Sequence, residues 1–132
     1  MRTIVIQTER AKQVVDITDN VNQKISEASF EKGICHLFLT HTTGALSVAD
    51  LDPGTDLDML DAFEEMIPKL NYRHPHDPSH VSDHILSALI GPDVVLHVEK
   101  GKLVLGTWQS VVLFEFSGPR ERMVLVNFSH RF

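Results

Sequence analysis

The chain predicts an α+β fold, an antiparallel β-sheet sandwich with packed helices rather than a wound parallel sheet. Three observations carry that expectation. Strand-like and helix-like segments fall in blocks, in the order ββαβ(β)ααβββ, instead of alternating one for one. Helix start and stop signals bracket two central segments, and the C-terminal third is rich in β-branched and apolar runs. At 132 residues the chain is expected to form one domain, residues 1–132, around one core.

Thr3–Thr8 and Val14–Ile17 are β-branched runs on either side of the polar ERAK stretch, and they read as an opening hairpin. Thr18 or Asp19 then caps a helix whose apolar stripe is Val21, Ile25 and Ala28, stopping near Gly33. Ile34–Thr40 reads as a strand, with Leu46–Ala49 as its candidate partner. Thr55 followed by Asp58 resembles a capping box, and Leu57, Leu60, Phe63 and Ile67 keep helical spacing until Pro68 stops the helix. After the loop NYRHPH, Asp77 is placed as N-cap and Pro78 at the first position of a further helix, which Gly91 and Pro92 end. Val94–Val98 and Leu103–Phe116 flank the EKGK turn, Gly106 marks a bulge or bend, and SGPRER leads into Met123–Phe128. The runs VVLHV and SVVLFEF are apolar on both faces, which predicts cover by helices or by another subunit.

Composition excludes several function classes. A hydrophobic fraction of 42% with 23% charged residues is the balance of an ordinary soluble domain. No apolar run approaches the ~20 residues that cross a bilayer. The segment MRTIVIQTERAK has a short apolar run broken by charges, unlike a signal peptide. Cys35 is the single cysteine and cannot form an internal disulfide, so a cytoplasmic setting is expected. A formal charge of −6 disfavours binding to a phosphate backbone.

Histidine is the unusual residue. There are eight, and four of them (His74, His76, His80 and His84) crowd one short segment. In ICHLFLTH, alternation puts Cys35, Leu37, Leu39 and His41 on one face, with His36 on the other. His41 therefore extends an inward face just where the strand ends, as a site residue or as a core histidine bonded to a carbonyl. His84 falls on the helical stripe of Val81, Ile85 and Ala88, which is expected to face the core. His80 is one turn earlier, at HxxxH spacing, but HVSDH lacks the zincin glutamate and a solvent-facing His80 is the simpler reading. A strand end, a loop and a helix each offer an imidazole, the donor set of a catalytic zinc with an open position. Asp50, Asp52, Asp56 and Asp58 lie between the contributors as orienting groups or bases, although Asp56 suits a helix N-terminus.

The segments THTTGAL (Thr40–Leu46), LDPGTDLDML, YRH (Tyr72–His74), DHILSALIGP (Asp83–Pro92), GKLVLGTWQSVVLFEF and GPRER together resemble the YjbQ-like family, also called UPF0047. Some members of that family are described as secondary thiamine-phosphate synthases. The resemblance spans nearly the whole chain and matches the family's recurring histidines to His41, His74 and His84. It implies a compact α+β sandwich that assembles as a homotrimer. Many relatives carry a glutamate in an NE-type turn, where this chain has SVADLDP with Asp50 nearest.

The reaction implied by the resemblance joins hydroxymethylpyrimidine pyrophosphate to thiazole phosphate and releases pyrophosphate. Arg73, Arg120 and Arg122 are the candidate anion contacts, with hydroxyls from Thr42 and Thr43. Trp108 is placed to stack on a heteroaromatic ring and Gln109 to read its edge. The plain alternatives are core for Trp108 and a solvated turn for Arg120 and Arg122. Three imidazoles favour Zn²⁺, whereas a pyrophosphate substrate brings Mg²⁺ held by carboxylates. Two other functions stay open: a zinc-dependent hydrolase or lyase with Asp50 or Asp58 as base, and a non-catalytic metal- or ligand-binding trimer. Every one of these has a small-molecule or metal partner, not a nucleic acid or a membrane.

Overall fold

The computed structural model describes residues 2–74 and 77–130. Its strands are β1 (Arg2–Gln7), β2 (Gln13–Asp16), β3 (Gly33–Leu39), β4 (Gly44–Ala49), β5 (Asp93–Glu99), β6 (Lys102–Leu103), β7 (Ser110–Glu115) and β8 (Glu121–Ser129). The helices are α1 (Thr18–Glu27), α2 (Thr55–Met66) and α3 (Val81–Ile90), the last preceded by a 3₁₀ turn, Pro78–His80. The α+β expectation holds. Among the described residues, no helix is long and apolar enough to cross a membrane.

Two antiparallel sheets form, one in the order β1-β8-β3-β5-β6 and the other in the order β2-β7-β4. The predicted opening hairpin is absent: β1 pairs with β8 and β2 with β7, in different sheets. Each β-branched run buries its apolar side against a strand from the far end of the chain, a pairing that local pattern does not reveal. Likewise β4 pairs with β7 and not with β3, whose partners are β5 and β8. The expected long strand Leu103–Phe116 is two short strands separated by the turn that holds Gly106.

The main core lies between the sheets. Ile4 and Ile6, Cys35, Leu37 and Leu39, Leu96 and Val98, and Val124 and Val126 meet Leu46, Val111 and Leu113 there, with Val21 and Ile25 of α1. The other face of the second sheet carries Ala45, Val112, Phe114 and Phe116, packed against Leu86 of α3 and Met59, Leu60 and Phe63 of α2. The two-sided apolar character of SVVLFEF is therefore met within one chain, by helices. Val95, in VVLHV, is exposed instead.

Helix ends follow the predicted chemistry with shifts of a residue or two. Asp77 caps the 3₁₀ turn, its Oδ1 accepting from the Ser79 N–H at 3.0 Å, and Pro78 follows at the first position. Gly91 ends α3 at φ 106°, a conformation that side chains avoid. The first helix is capped one residue earlier than expected, at Ile17, and Thr18 Oγ1 instead accepts from the Val111 N–H. Gly54, not Thr55, is the N-cap of α2, and no side chain bonds there.

The orientation of α3 departs from the expected stripe. Its buried residues are Asp83, Leu86 and Ser87, while Ala88 is exposed and Val81 and Ile85 are half-buried. Two polar anchors set this rotation. The Ser87 hydroxyl donates to the Gly44 carbonyl at 2.6 Å, and Lys12 Nζ donates to Asp83 Oδ1 at 2.5 Å. Residue 44 suits its place beside β7 as glycine, because a Cβ there would lie 3.0 Å from the Phe114 carbonyl oxygen.

Burial in the core pushes the Cys35 thiol up to about 12, so it stays a protonated, inert thiol. Native protein is expected not to react with a disulfide-exchange reagent at mildly alkaline pH, whereas denatured protein releases one equivalent. Fast labelling of the native state would contradict this packing.

Candidate functional site

The loop that joins β3 to β4 contains His41, Thr42 and Thr43, and it sits over a buried ion pair. Glu115, at the end of β7, is fully buried, and Arg122 of β8 is 1% exposed. Arg122 Nε donates to Glu115 Oε1 at 2.9 Å, and its Nη2 donates to Glu115 Oε2. Nη2 also donates to the Thr43 carbonyl at 3.1 Å and to Thr43 Oγ1 at 2.8 Å. Glu115 further accepts from the Thr8 hydroxyl at 2.6 Å and from the Ser117 N–H at 3.1 Å. Burial opposes the charge on Glu115, but the bonds from Arg122, Thr8 and Ser117 outweigh it and hold the carboxyl below its ordinary range. Sequence reasoning missed Glu115. The available signal was a lone charge inside the apolar run SVVLFEF, with an arginine one turn of chain away.

The neighbouring backbone fixes His41. The Met123 N–H, next in chain to Arg122, donates to His41 Nε2 at 3.0 Å. Loss of hydration pulls the His41 pKa below its ordinary value, Arg122 adds to that effect, and Glu115 opposes it. On α3, His84 Nδ1 donates to the Thr42 carbonyl at 3.0 Å. The ring of His74 stacks on His84, with centroids 5.0 Å apart and planes 11° from parallel. His74 Nδ1 accepts from the Asp77 N–H at 3.3 Å. His41, Thr42 and His84 thus line one open groove of about 650 Å³ with Phe38, Leu39, Thr40, Ser87, Ala88 and Pro92.

The three histidines singled out from the sequence are therefore brought together, two in the groove and the third stacked on its rim. Other candidates are elsewhere. The register pairs Gly44 with Glu115 and Ala49 with Ser110, so Asp50, Trp108 and Gln109 lie near the opposite end of the second sheet, roughly 17 Å away at about 3.4 Å per residue. Trp108 is 71% exposed, contrary to the core reading, and Gln109 Oε1 accepts from the Gly106 N–H. Asp58 is exposed in the first turn of α2. Arg73 and Arg120 are exposed, and Arg120 Nε donates to the Ser117 carbonyl at 2.6 Å. Arg122 is neither a solvated turn residue nor an open anion contact; it is committed to Glu115 and Thr43. His76 lies outside the described residues. His80 turns away from the groove, between Asp77 Oδ2 at 3.1 Å and Asp83 Oδ2 at 3.4 Å.

Among the described residues, no three His, Cys, Asp or Glu side chains are grouped to hold an ion. His41 Nε2 is engaged by a backbone N–H, and the stacked rings of His74 and His84 aim their lone pairs along near-parallel planes. As placed, the His41, His74 and His84 set does not fit a shared ion.

Arg122→Met leaves Glu115 buried without its cation and is expected to cost about 3–5 kcal/mol in denaturant unfolding, with much of the loss recovered in Glu115→Leu/Arg122→Met. For His41, a folded-state pKa below the unfolded one means that the unfolded chain binds the proton first as pH falls. Its contribution is therefore present above about 6.5 and lost as pH drops through the lower folded value. Unfolding measured across that window should show a slope that His41→Gln flattens; an unchanged slope would refute the assignment.

A family model described as UPF0047 protein YjbQ-like matches residues 2–131. A UPF0047 protein of Archaeoglobus fulgidus is 35% identical over 124 residues, covering 93% of this chain and 96% of its own. The UPF0047 protein YugU of Bacillus subtilis is 32% identical, covering 92% and 93%. The crystal structure of a yjbq/upf0047 family protein from Clostridium acetobutylicum superposes with a TM-score of 0.88 at 32% identity, covering 98% of this chain and all of that one. A hypothetical protein from Aeropyrum pernix K1 superposes with a TM-score of 0.89 at 30% identity, covering 97% and 96%. By sequence over nearly its full length and by fold, the chain belongs to the YjbQ-like UPF0047 family.

Proposed function

We propose that the groove of His41, Thr42 and His84 is the active site of an enzyme acting on a small heterocyclic or phosphorylated metabolite. Convergence carries this reading: a strand end, a loop and a helix bring three histidines to one end of the second sheet. A groove of about 650 Å³ is of small-molecule size, and its apolar wall of Phe38, Leu39, Ala88 and Pro92 suits a ring. Thiamine phosphate formation is the specific reaction within this proposal. There the exposed Thr42 hydroxyl, with Arg73 next in chain to His74 and Arg120 beyond β7, would receive the anionic groups. Zn²⁺ belongs to the same proposal only if His74 leaves its stack and His41 gives up its bond to Met123.

The proposed assembly is a homotrimer. Val5, Phe38, Val95 and Met123 are exposed on the outer face of the first sheet, which carries none of the described helices. Light scattering should give three copies of the 14.9 kDa chain, and Phe38→Glu/Val95→Glu should give one. A monomeric parent protein would remove this part of the proposal.

The activity test is turnover by tag-free protein of a panel that contains the pyrimidine pyrophosphate and thiazole phosphate pair. His84→Ala and His41→Ala should each lower the rate by about 10²–10⁴-fold with the fold intact, the usual worth of a positioned acid or base. His97→Ala, exposed on β5, should have no effect. Full turnover in both site variants would place the chemistry elsewhere.

A further inference from the structure

We infer that His41 and His84 form a divided acid–base pair, one presenting a proton donor and the other a lone pair to an uncharged lactam or enolisable carbonyl. The inference rests on the groove being the active site, and it adds the division of labour and the substrate class. It follows from what the backbone permits each ring to do.

A backbone N–H can only donate. The Met123 N–H held at His41 Nε2 therefore makes that nitrogen the acceptor, and a neutral His41 carries its proton on Nδ1. A carbonyl oxygen can only accept. His84 Nδ1, 3.0 Å from the Thr42 carbonyl, must carry a proton, which leaves the lone pair of the neutral ring on Nε2. Both rings adopt the same tautomer, yet opposite nitrogens are committed. His41 is left with an N–H and His84 with an acceptor, in one groove and joined through adjacent residues 41 and 42.

The supports are rigid. Arg122 ties Thr43 to Glu115 on one side of the loop and is followed at once by Met123. The stacked ring of His74 fixes the plane of His84, which makes His74 a positioning residue. Among the described residues, the rest of the groove wall is Phe38, Leu39, Thr40, Thr42, Ser87, Ala88 and Pro92, with no Lys, Arg, Asp or Glu in direct contact with it. A neutral N–H or C–H acid beside a C=O group finds both partners it needs between the His84 lone pair and the His41 N–H.

In the step, the N–H or C–H bond breaks and its proton passes to His84 Nε2. The electron pair moves into the adjacent C=O group, and the oxyanion so formed accepts a hydrogen bond from His41 Nδ1–H. Return of the proton from His84 to a different atom completes a tautomerisation or isomerisation, with no oxidant or co-reactant required.

Nitrogen-15 NMR of the histidine side chains tests the pair without any substrate. At neutral pH both His41 and His84, assigned with His41→Gln and His84→Gln, should show a protonated Nδ1 and an unprotonated Nε2. A protonated Nε2 in either site ring would overturn the inference. Added 2-pyridone, a neutral lactam, should move His41 Nδ1 and His84 Nε2 together, and bind at least tenfold more weakly to each single variant. Movement of one ring alone, or none at saturation, would overturn it. Added ZnCl₂ that strips the proton from His41 Nδ1 would also overturn it, in favour of a shared metal. Correct tautomers and 2-pyridone binding with no turnover of any substrate would sustain the pairing and sink the wider active-site proposal, so the two failures are distinct.

Discussion

Glu115 and Arg122 bond each other in a part of the molecule from which water is excluded, and most of the local architecture takes its position from them. Their carboxylate and guanidinium face each other across the turn that joins β7 to β8. Thr8, just past β1, reaches the same carboxylate from 107 positions away in the chain. Thr43 reaches the same guanidinium from the loop before β4. Each of the two sheets therefore contributes to one polar knot inside a surrounding of apolar side chains. Such a pair has a large desolvation cost, and it persists only when nearly every donor and acceptor is met. Among the described residues, no buried side-chain nitrogen or oxygen lacks a partner, so that condition is satisfied. The gain is geometric: an over-determined joint that leaves the HTT loop little freedom.

That rigidity is transmitted to the site through backbone groups. Arg122 and Met123 are consecutive on β8, so holding the first side chain places the N–H of the second against His41. Thr43 is held by its carbonyl and its hydroxyl, and Thr42, its neighbour, offers the carbonyl that orients His84. The helix that supplies His84 is pinned to the start of β4 by the bond from Ser87 to Gly44. A histidine held by a backbone N–H and another held by a backbone carbonyl end with different free nitrogens. Residue type alone carries no such distinction.

The remaining sequence-level candidates show why a list of reactive residues is not a site. Asp50, Trp108 and Gln109 are chemically suited to catalysis and recognition, but register places them beyond the opposite end of the second sheet. His80, one turn from His84, answers to Asp77 and Asp83 because α3 is rotated by its polar anchors rather than by its apolar stripe. Helical spacing correctly placed Val81, Ile85 and Ala88 together on one face. The buried face is the adjacent one, and two hydrogen bonds of Asp83 and Ser87 decided it.

Local chemistry in the sequence determined the α+β class, the inward face of Cys35, Leu37 and Leu39, and the Asp77–Pro78 start and the Gly91 stop, while the three histidines followed from position together with the family resemblance. Those features depend on alternation, helix spacing, capping and backbone freedom, which act over a few residues. The tertiary structure alone decided that β1 joins β8 and β2 joins β7, that Glu115 meets Arg122, and that His41 and His84 share one groove with His74 stacked at its rim. Strand pairing and side-chain convergence depend on contacts between residues far apart in the chain, and no local pattern encodes the register that creates them.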